Sequence, residues 1–259
     1  MTKEERQSAI LDQLLKQGSV LVSALSDNLQ VSAVTIRKDL TDLERQGRLY
    51  RSHGKAILIN PFTANRSVNE KEKLFPEEKY NIGTAAAQLV MPNDSIVIAS
   101  GTTVTAFAQC LQHSPRFTAV TSSIKVSEAL AANSEIEVIQ LGGRLRHSSL
   151  SVVGPDGEQT LAGCTFSKLF IGVDGIDLEY GITTTDLREA HLNKVAQKNI
   201  VLADSSKFGR RGFAKICGMD EVDVIITDGN IRPTDRTALE EMGIEVIVVN
   251  GGNASVTML

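Results

Sequence analysis

Apolar residues recur at helical intervals in the first part of the chain and give way to short β-rich runs after about residue 95. Ile10, Leu11, Leu14 and Leu15 form one helical stripe that stops at Gly18. Ser23, as a cap, opens a second short helix with Leu25 and Leu29 turned inward and an end at Gln30-Val31. Ser32 caps a third, in which Ile36, Leu40 and Leu43 fall at i, i+4 and i+7 and must face a core. Gly47 closes that helix, and residues 49–58 read as two short strands around a Gly54 turn. Further on, a helix presents Tyr80, Ile82, Ala86, Leu89 and Val90 on one face.

Seven apolar runs follow, interleaved with helical patterns: residues 95–99, 117–120, 136–141, 169–173, 200–203, 222–226 and 246–249. Near-continuous apolar strands separated by helices predict a parallel sheet covered on both faces, an α/β domain. Residues 60–69 have no periodicity and are rich in breakers. The expected organisation is a small helical domain over 1–59, a linker over 60–72 and an α/β domain over 73–259.

The tight spacing of the second and third helices is that of a helix-turn-helix, and the strand pair after it makes a wing. The third helix leaves Ala33, Val34, Arg37 and Lys38 outward, small at its front end and cationic one turn in, as suits entry into a DNA major groove. An ordinary amphipathic surface helix has the same stripe, and it is the three helices with the basic hairpin that favour DNA. Ser32, Ala33, Val34, Thr35, Arg37 and Lys38 on the helix, with Arg51, His53 and Lys55 in the wing, are the expected DNA contacts. Arg37 is the first choice for a guanine edge, with Thr35 and Lys38 on phosphates.

Charge sharpens the division. Residues 1–59 carry nine Lys/Arg against seven Asp/Glu, whereas the whole chain stands at −4, leaving −6 on the remainder. A cationic reader on an acidic body fits a site-specific binder better than a coating protein. Apolar content of 42% with 22% charged residues is that of a soluble globular protein, and no run approaches the ~20 residues of a membrane helix. The charged N-terminus is not that of a signal peptide. Three isolated cysteines fit reduced thiols in a cytoplasm, and four scattered histidines give no metal spacing. No metal or cofactor is expected.

Ligands of open α/β sheets collect at the carboxyl ends of the strands. Those ends read Ser100-Gly101-Thr102-Thr103, Thr121-Ser122-Ser123, Gly142-Gly143-Arg144, Asp174-Gly175-Ile176-Asp177 and Asp204-Ser205-Ser206-Lys207. Singly these are ordinary helix caps; together they describe a polar crater for a small phosphorylated, polyhydroxylated molecule. A phosphate would sit on Gly101, Thr102 and Thr103 with Lys207 or Arg144 as countercharge, and Asp174 or Asp204 would accept from hydroxyls.

From about Glu4 to Asn250 the chain resembles the DeoR family of transcriptional regulators. The resemblance is carried by Val31-Ser32, Thr35-Ile36-Arg37-Lys38-Asp39-Leu40, Arg51-x-His53-Gly54, Ser100 to Thr103, Leu141 to Gly143, Gly172 to Ile176 and Ala203 to Gly209. It implies an effector domain related in fold to ribose-5-phosphate isomerase and glucosamine-6-phosphate deaminase, sensing a phosphorylated sugar and repressing a catabolic operon. It also implies effector contacts at Lys79, with Lys71 eight residues earlier, and at Asp204 and Lys207. Lys55 stands where the family commonly has glycine, which adds a cation to the wing and removes a flexible position. The helix between Glu189 and Asn199 is about four residues short of the family pattern, roughly one turn.

The competing class is a sugar-phosphate isomerase or deaminase with an appended reader, because Asp174-Gly175-Ile176-Asp177 resembles the Asp-Gly-x-Asp of the pentose-phosphate isomerases. There carboxylates assist proton transfer beside a sugar carbonyl. Those enzymes continue with Glu, where this chain has Leu178, and they have no need of a winged helix. The expected partners are therefore double-stranded operator DNA, a phosphorylated sugar and further copies of the chain, as dimer or tetramer.

Overall fold

A computed structural model describes residues 2–17, 19–45, 48–52, 54–58, 67–192 and 198–250. The chain falls into two compact units, Met1–Ala64 and Asn65–Leu259. Among the described residues no helix is long and apolar enough to cross a membrane.

The first unit contains α1 (Lys3–Gln17), β1 (Ser19–Leu21), α2 (Val22–Leu29), α3 (Ala33–Arg45), β2 (Leu49–Ser52) and β3 (Lys55–Leu58). Ile10, Leu14, Leu25, Ile36, Leu40, Leu43 and Leu49 close its core. Ser32 caps α3 as expected, its Oγ accepting the Thr35 N–H at 3.2 Å. Ser23 does not cap α2: that helix starts at Val22 behind Leu21, with no side-chain cap, because β1 feeds directly into it. β1 was not expected; its three residues pair antiparallel with β3, Ser19 opposite Ile57 and Leu21 opposite Lys55, so the sheet is three-stranded. Gly54 takes the positive φ of the wing turn, +75°. Lys55 already belongs to β3, opposite Ser52, so the turn is made without a second glycine. Gly18, Gly47, His53 and the linker stretch 59–66 lie outside the described residues.

The second unit opens with α4 (Val68–Glu72) and α5 (Pro76–Ala87). Ser67 and Glu70 form a reciprocal capping box at the start of α4, so residues 67–72 of the expected linker form a capped helix belonging to this unit. On α5, Ile82 and Ala86 are buried, but Tyr80 is 60% exposed and does not join the apolar face. There follow β4 (Ser95–Ile98), α6 (Thr102–Cys110), β5 (Phe117–Thr121), α7 (Ile124–Leu130) and β6 (Ile136–Gln140). Next come β7 (Arg144–Arg146), β8 (Ser151–Val153), α8 (Pro155–Ala162), β9 (Lys168–Gly172), β10 (Gly175–Asp177), β11 (Gly181–Thr184) and α9 (Leu187–Leu192). The chain continues with β12 (Asn199–Leu202), β13 (Ala214–Cys217), β14 (Val224–Asp228), α10 (Pro233–Glu241) and β15 (Glu245–Val249). Residues 193–197, within the helix expected to be short, lie outside the described residues.

All seven expected strands are present and form one parallel sheet in the order β15-β14-β12-β9-β4-β5-β6. Two apolar clusters flank it, one around Phe107, Phe117 and Phe170, the other around Leu169, Ile171 and Val201. The chain winds outward from β4 through β5 to β6, then returns to β9 on the other side of β4. The order reverses between β4 and β9, and the crevice at their carboxyl ends is where such sheets take ligands. Five strands outside the main sheet, β7-β8 and β10-β11-β13, make two small antiparallel sheets.

Candidate functional site

In the first unit, burial of one face of α3 defines the other. Ile36, Leu40, Leu43 and Asp39 are within 2% of complete burial, while Val34, Arg37 and Lys38 are exposed and Ala33 and Thr35 half-buried. Ser32 and Thr35 hydroxyls lie 3.0 Å apart. Asp39 was not singled out by sequence reading. It is 2% exposed and accepts both the Nε–H and, at 3.0 Å, the Nη2–H of Arg6. Its position three residues after Ile36 already put it on the buried stripe, so the spacing carried the signal. Arg51 is held by Glu44 at 2.8 Å through its Nε–H, and the Arg51 backbone N–H donates to the same carboxylate. Lys55 is exposed.

In the second unit, a cleft open to solvent lies at the β4–β9 reversal. It brings together six residues expected from sequence: Ser100, Gly101, Thr102, Thr103, Asp174 and Lys207. Gly101 caps α6 at φ +135°, a conformation that L side chains avoid. The Thr105 N–H closes the first helical bond to the Gly101 carbonyl at 3.0 Å. The N–H groups ahead of it have no intrahelical acceptor, which leaves a positive helix end on the cleft.

Asp174 is committed on both oxygens. Oδ1 accepts from Lys71 Nζ at 2.6 Å; Oδ2 accepts from the Thr185 N–H at 3.1 Å and the Thr184 hydroxyl at 3.3 Å. Burial works to raise its pKa, but the charges of Lys71 and Lys207 and hydrogen bonds from Lys71 and Thr185 prevail and hold the carboxyl well below the usual range. Lys207 is itself shifted down by burial, against the pull of Asp204 and Asp174.

The remaining expected residues take other places, for a reason the strand order supplies. Thr121 ends β5, the neighbour of β4, and Ser122 follows it; both are buried beside the start of α7, where the Thr121 hydroxyl accepts the Ser123 N–H at 3.0 Å. Gly143 and Arg144 follow β6 at the sheet edge; Arg144 is exposed and is not among the residues that line the cleft. Gly175 is buried within β10. Asp204 lies behind Lys207, 1% exposed, its Oδ2 3.9 Å from Lys207 Nζ and with no hydrogen-bond partner among the described residues. Lys79 lies beneath Lys71 and donates to the backbone carbonyls of Lys71, at 2.6 Å, and Leu74. Burial lowers its ammonium to about 8, with Asp204 opposing the shift.

The side of the cleft that sequence reading did not anticipate is built by Arg146, Ser148, Ser149, Thr184, Thr185 and Glu189. Arg146 is clamped by Asp186 and Glu189, each at 3.1 Å, and Glu189 also accepts from the hydroxyls of Ser151 at 2.9 Å and Ser100 at 3.3 Å. Arg146 and Glu189 are 43 positions apart and belong to a hairpin and a helix whose adjacency no local pattern announces. Asp177, by contrast, accepts two hydrogen bonds from Arg211, at 2.7 and 3.0 Å, and is not among the cleft residues. Among the described residues no three His, Cys, Asp or Glu side chains are grouped to hold a metal ion.

Two family models match the chain: a DeoR-like helix-turn-helix domain over residues 6–62 and a DeoR C-terminal sensor domain over residues 75–229. The chain is 38% identical over 251 residues to an Escherichia coli O157:H7 protein named as a candidate transcriptional repressor of the aga operon, covering 95% of this chain and 93% of that one. It is 33% identical over 252 residues to the HTH-type transcriptional repressor GlcR of Bacillus subtilis strain 168, covering 96% and 97%. It is 32% identical over 237 residues to a lactose phosphotransferase system repressor of Staphylococcus epidermidis, covering 89% and 94%. Among solved structures, ribose 5-phosphate isomerase A from Neisseria gonorrhoeae aligns with 51% of this chain and 53% of that one at 22% identity and a TM-score of 0.38. With a helix-turn-helix reader, a sensor domain and full-length relatives that are named regulators, the chain belongs to the DeoR family of transcriptional regulators.

Proposed function

We propose that this protein is a cytoplasmic, homo-oligomeric repressor of a carbohydrate operon whose hold on operator DNA is set by a phosphorylated sugar in the β4–β9 cleft. The observation that carries the sensor half is the convergence of the α6 N-terminus with Lys71, Arg146 and Lys207 on one cleft. Three cations and a helix end line the cleft with two carboxylates, Asp174 and Glu189, while Asp186 and Asp204 stand behind Arg146 and Lys207. What this arrangement offers a phosphate is a set of charged and backbone N–H donors rather than a large net charge. The carboxylates and the hydroxyls of Ser100, Ser149 and Thr184 are acceptors and donors for a polyhydroxylated body. The repressor names of relatives such as GlcR and the lactose phosphotransferase system repressor support the operon class.

The isomerase reading is disfavoured by Asp177. A second carboxylate beside Asp174 would have to reach the substrate, and Asp177 is engaged by Arg211 and the N–H groups of Glu179 and Tyr180. Binding without turnover then acts by favouring one of two arrangements that differ in operator affinity.

The test is a thermal-shift panel of pentose and hexose phosphates against the free sugars, followed by operator release in a mobility-shift titration. Stabilisation by at least one phosphate, with release of DNA, is the expected result. Stabilisation by free sugars with every phosphate inert overturns the cleft assignment, and turnover of a sugar phosphate at ordinary enzyme rates overturns the sensor. Sedimentation at micromolar protein showing a single-chain species alone removes the oligomer.

A further inference from the structure

Val34 is 61% exposed, the most exposed large hydrophobic side chain among the described residues, and nothing in the first unit's core accounts for it. It lies two positions before Ile36, about 200° around the helix axis from the buried stripe. Helix propensity does not account for it either, because a β-branched residue is a poorer choice than alanine or lysine at a solvated position. What surrounds it is informative. Arg37 and Lys38 follow at i+3 and i+4, so all three side chains are neighbours on one face. The hydroxyls of the flanking Ser32 and Thr35 are turned toward each other in the helix cap, leaving the aliphatic group as the front of that face.

We infer that Val34 is a base-reading residue that packs on the C5-methyl group of a thymine in the major groove, adjacent to the base pair contacted by Arg37. The inference rests on the reading of α3 as the helix that enters the groove. Among the four bases only thymine presents a methyl group there, and apolar side chains are what recognises it. The two cations beside Val34 are complementary to a phosphate-lined groove and would bring the valine to it. An aliphatic contact also adds what the cations cannot. Phosphate pairing holds any sequence, whereas a methyl contact distinguishes thymine from cytosine at a defined distance from the guanine.

The experiment uses the full-length protein and a duplex selected from a random library by that protein. Each thymine of the selected half-site is replaced in turn by deoxyuridine, which removes only the methyl group. One replacement, within two base pairs of a guanine whose change is felt by Arg37→Ala, is expected to weaken binding by roughly three- to five-fold, the worth of one buried methyl. Val34→Ser is expected to bind the thymine and deoxyuridine duplexes equally, with an unchanged melting temperature and an unchanged dependence on salt. If every deoxyuridine duplex binds the wild-type protein as the parent does, the inference is wrong. It is equally wrong if the sensitive thymine persists undiminished in Val34→Ser. Failure of selection to enrich any sequence would overturn the groove-reading role of α3, and with it this assignment; enrichment without a methyl-sensitive position overturns this assignment alone.

Discussion

The two units of this molecule put their charges to opposite uses. In the reader, Arg37, Lys38 and Lys55 are exposed, belong to two short stretches of chain and are what remains after the core residues turn inward. In the sensor, Lys71, Asp174, Lys207, Arg146 and Glu189 come from five separate segments and are at least partly withdrawn from water and tied to one another. Exposed charges act on a distant polyanion and are screened by salt. Withdrawn charges act over one contact, shift each other's protonation and punish the loss of a partner. The comparison teaches that the charges of the two units should answer differently to salt, to pH and to loss of a partner, and it can be broken or sharpened at five points.

The largest effect is expected where the reader departs from its own pattern. Asp39 is its buried acid, and Asp39→Ala leaves Arg6 without its partner at a side-chain exposure of 13%. Loss of the partner is expected to lower the stability of the reader, seen as early melting of the reader signal in a thermal scan while the sensor transition stays in place. An unchanged reader transition would show that the pair contributes nothing.

Next is the pH dependence of the sensor. Lys79 has its ammonium lowered from 10.5 to about 8, so between those values the unfolded chain binds more protons than the folded one. Stability should therefore rise as pH goes from about 8 to 10.5, by roughly 3 kcal/mol from Lys79 alone, and Lys207, shifted in the same direction, adds to it. Below pH 8 both states hold the proton and the full cost of burying it remains. Urea titrations of the wild type and Lys79→Met across that range are the check; the slope should flatten in the variant, and a slope of opposite sign contradicts the account.

Lys207→Ala should weaken effector binding by about ten- to a hundred-fold, the worth of one charge-assisted hydrogen bond, while operator affinity without effector is unchanged. Calorimetry with the stabilising sugar phosphate measures the first and a mobility shift the second. Arg37→Ala should cost about 1–3 kcal/mol and relax the preference at one base pair; retention of full affinity on the selected operator would place another residue at the guanine. Smallest, Lys38→Ala or Lys55→Ala should weaken binding to all sequences alike and lower the salt slope by about one, which titrations at several salt concentrations resolve.

Sequence alone determined the elements whose residues lie close together in the chain. Ile36, Leu40 and Leu43 prescribe α3 and its outward face, because a helix repeats within four residues. The seven apolar runs prescribe the parallel strands, because a strand covered on both faces has no polar alternation. Ser100 to Thr103, Asp174 and Lys207 were legible as candidates since each follows such a strand. Tertiary structure decided which candidates meet. Only the order β12-β9-β4-β5-β6 puts the ends of β4 and β9 side by side and leaves Thr121, Gly143 and Arg144 outside the cleft. It also decided the contacts between Lys71 and Asp174 and between Arg146 and Glu189, 103 and 43 positions apart. A sheet's strand order is fixed by how long-range packing closes both faces, and a pairing across that distance leaves no period in the chain for a local pattern to carry.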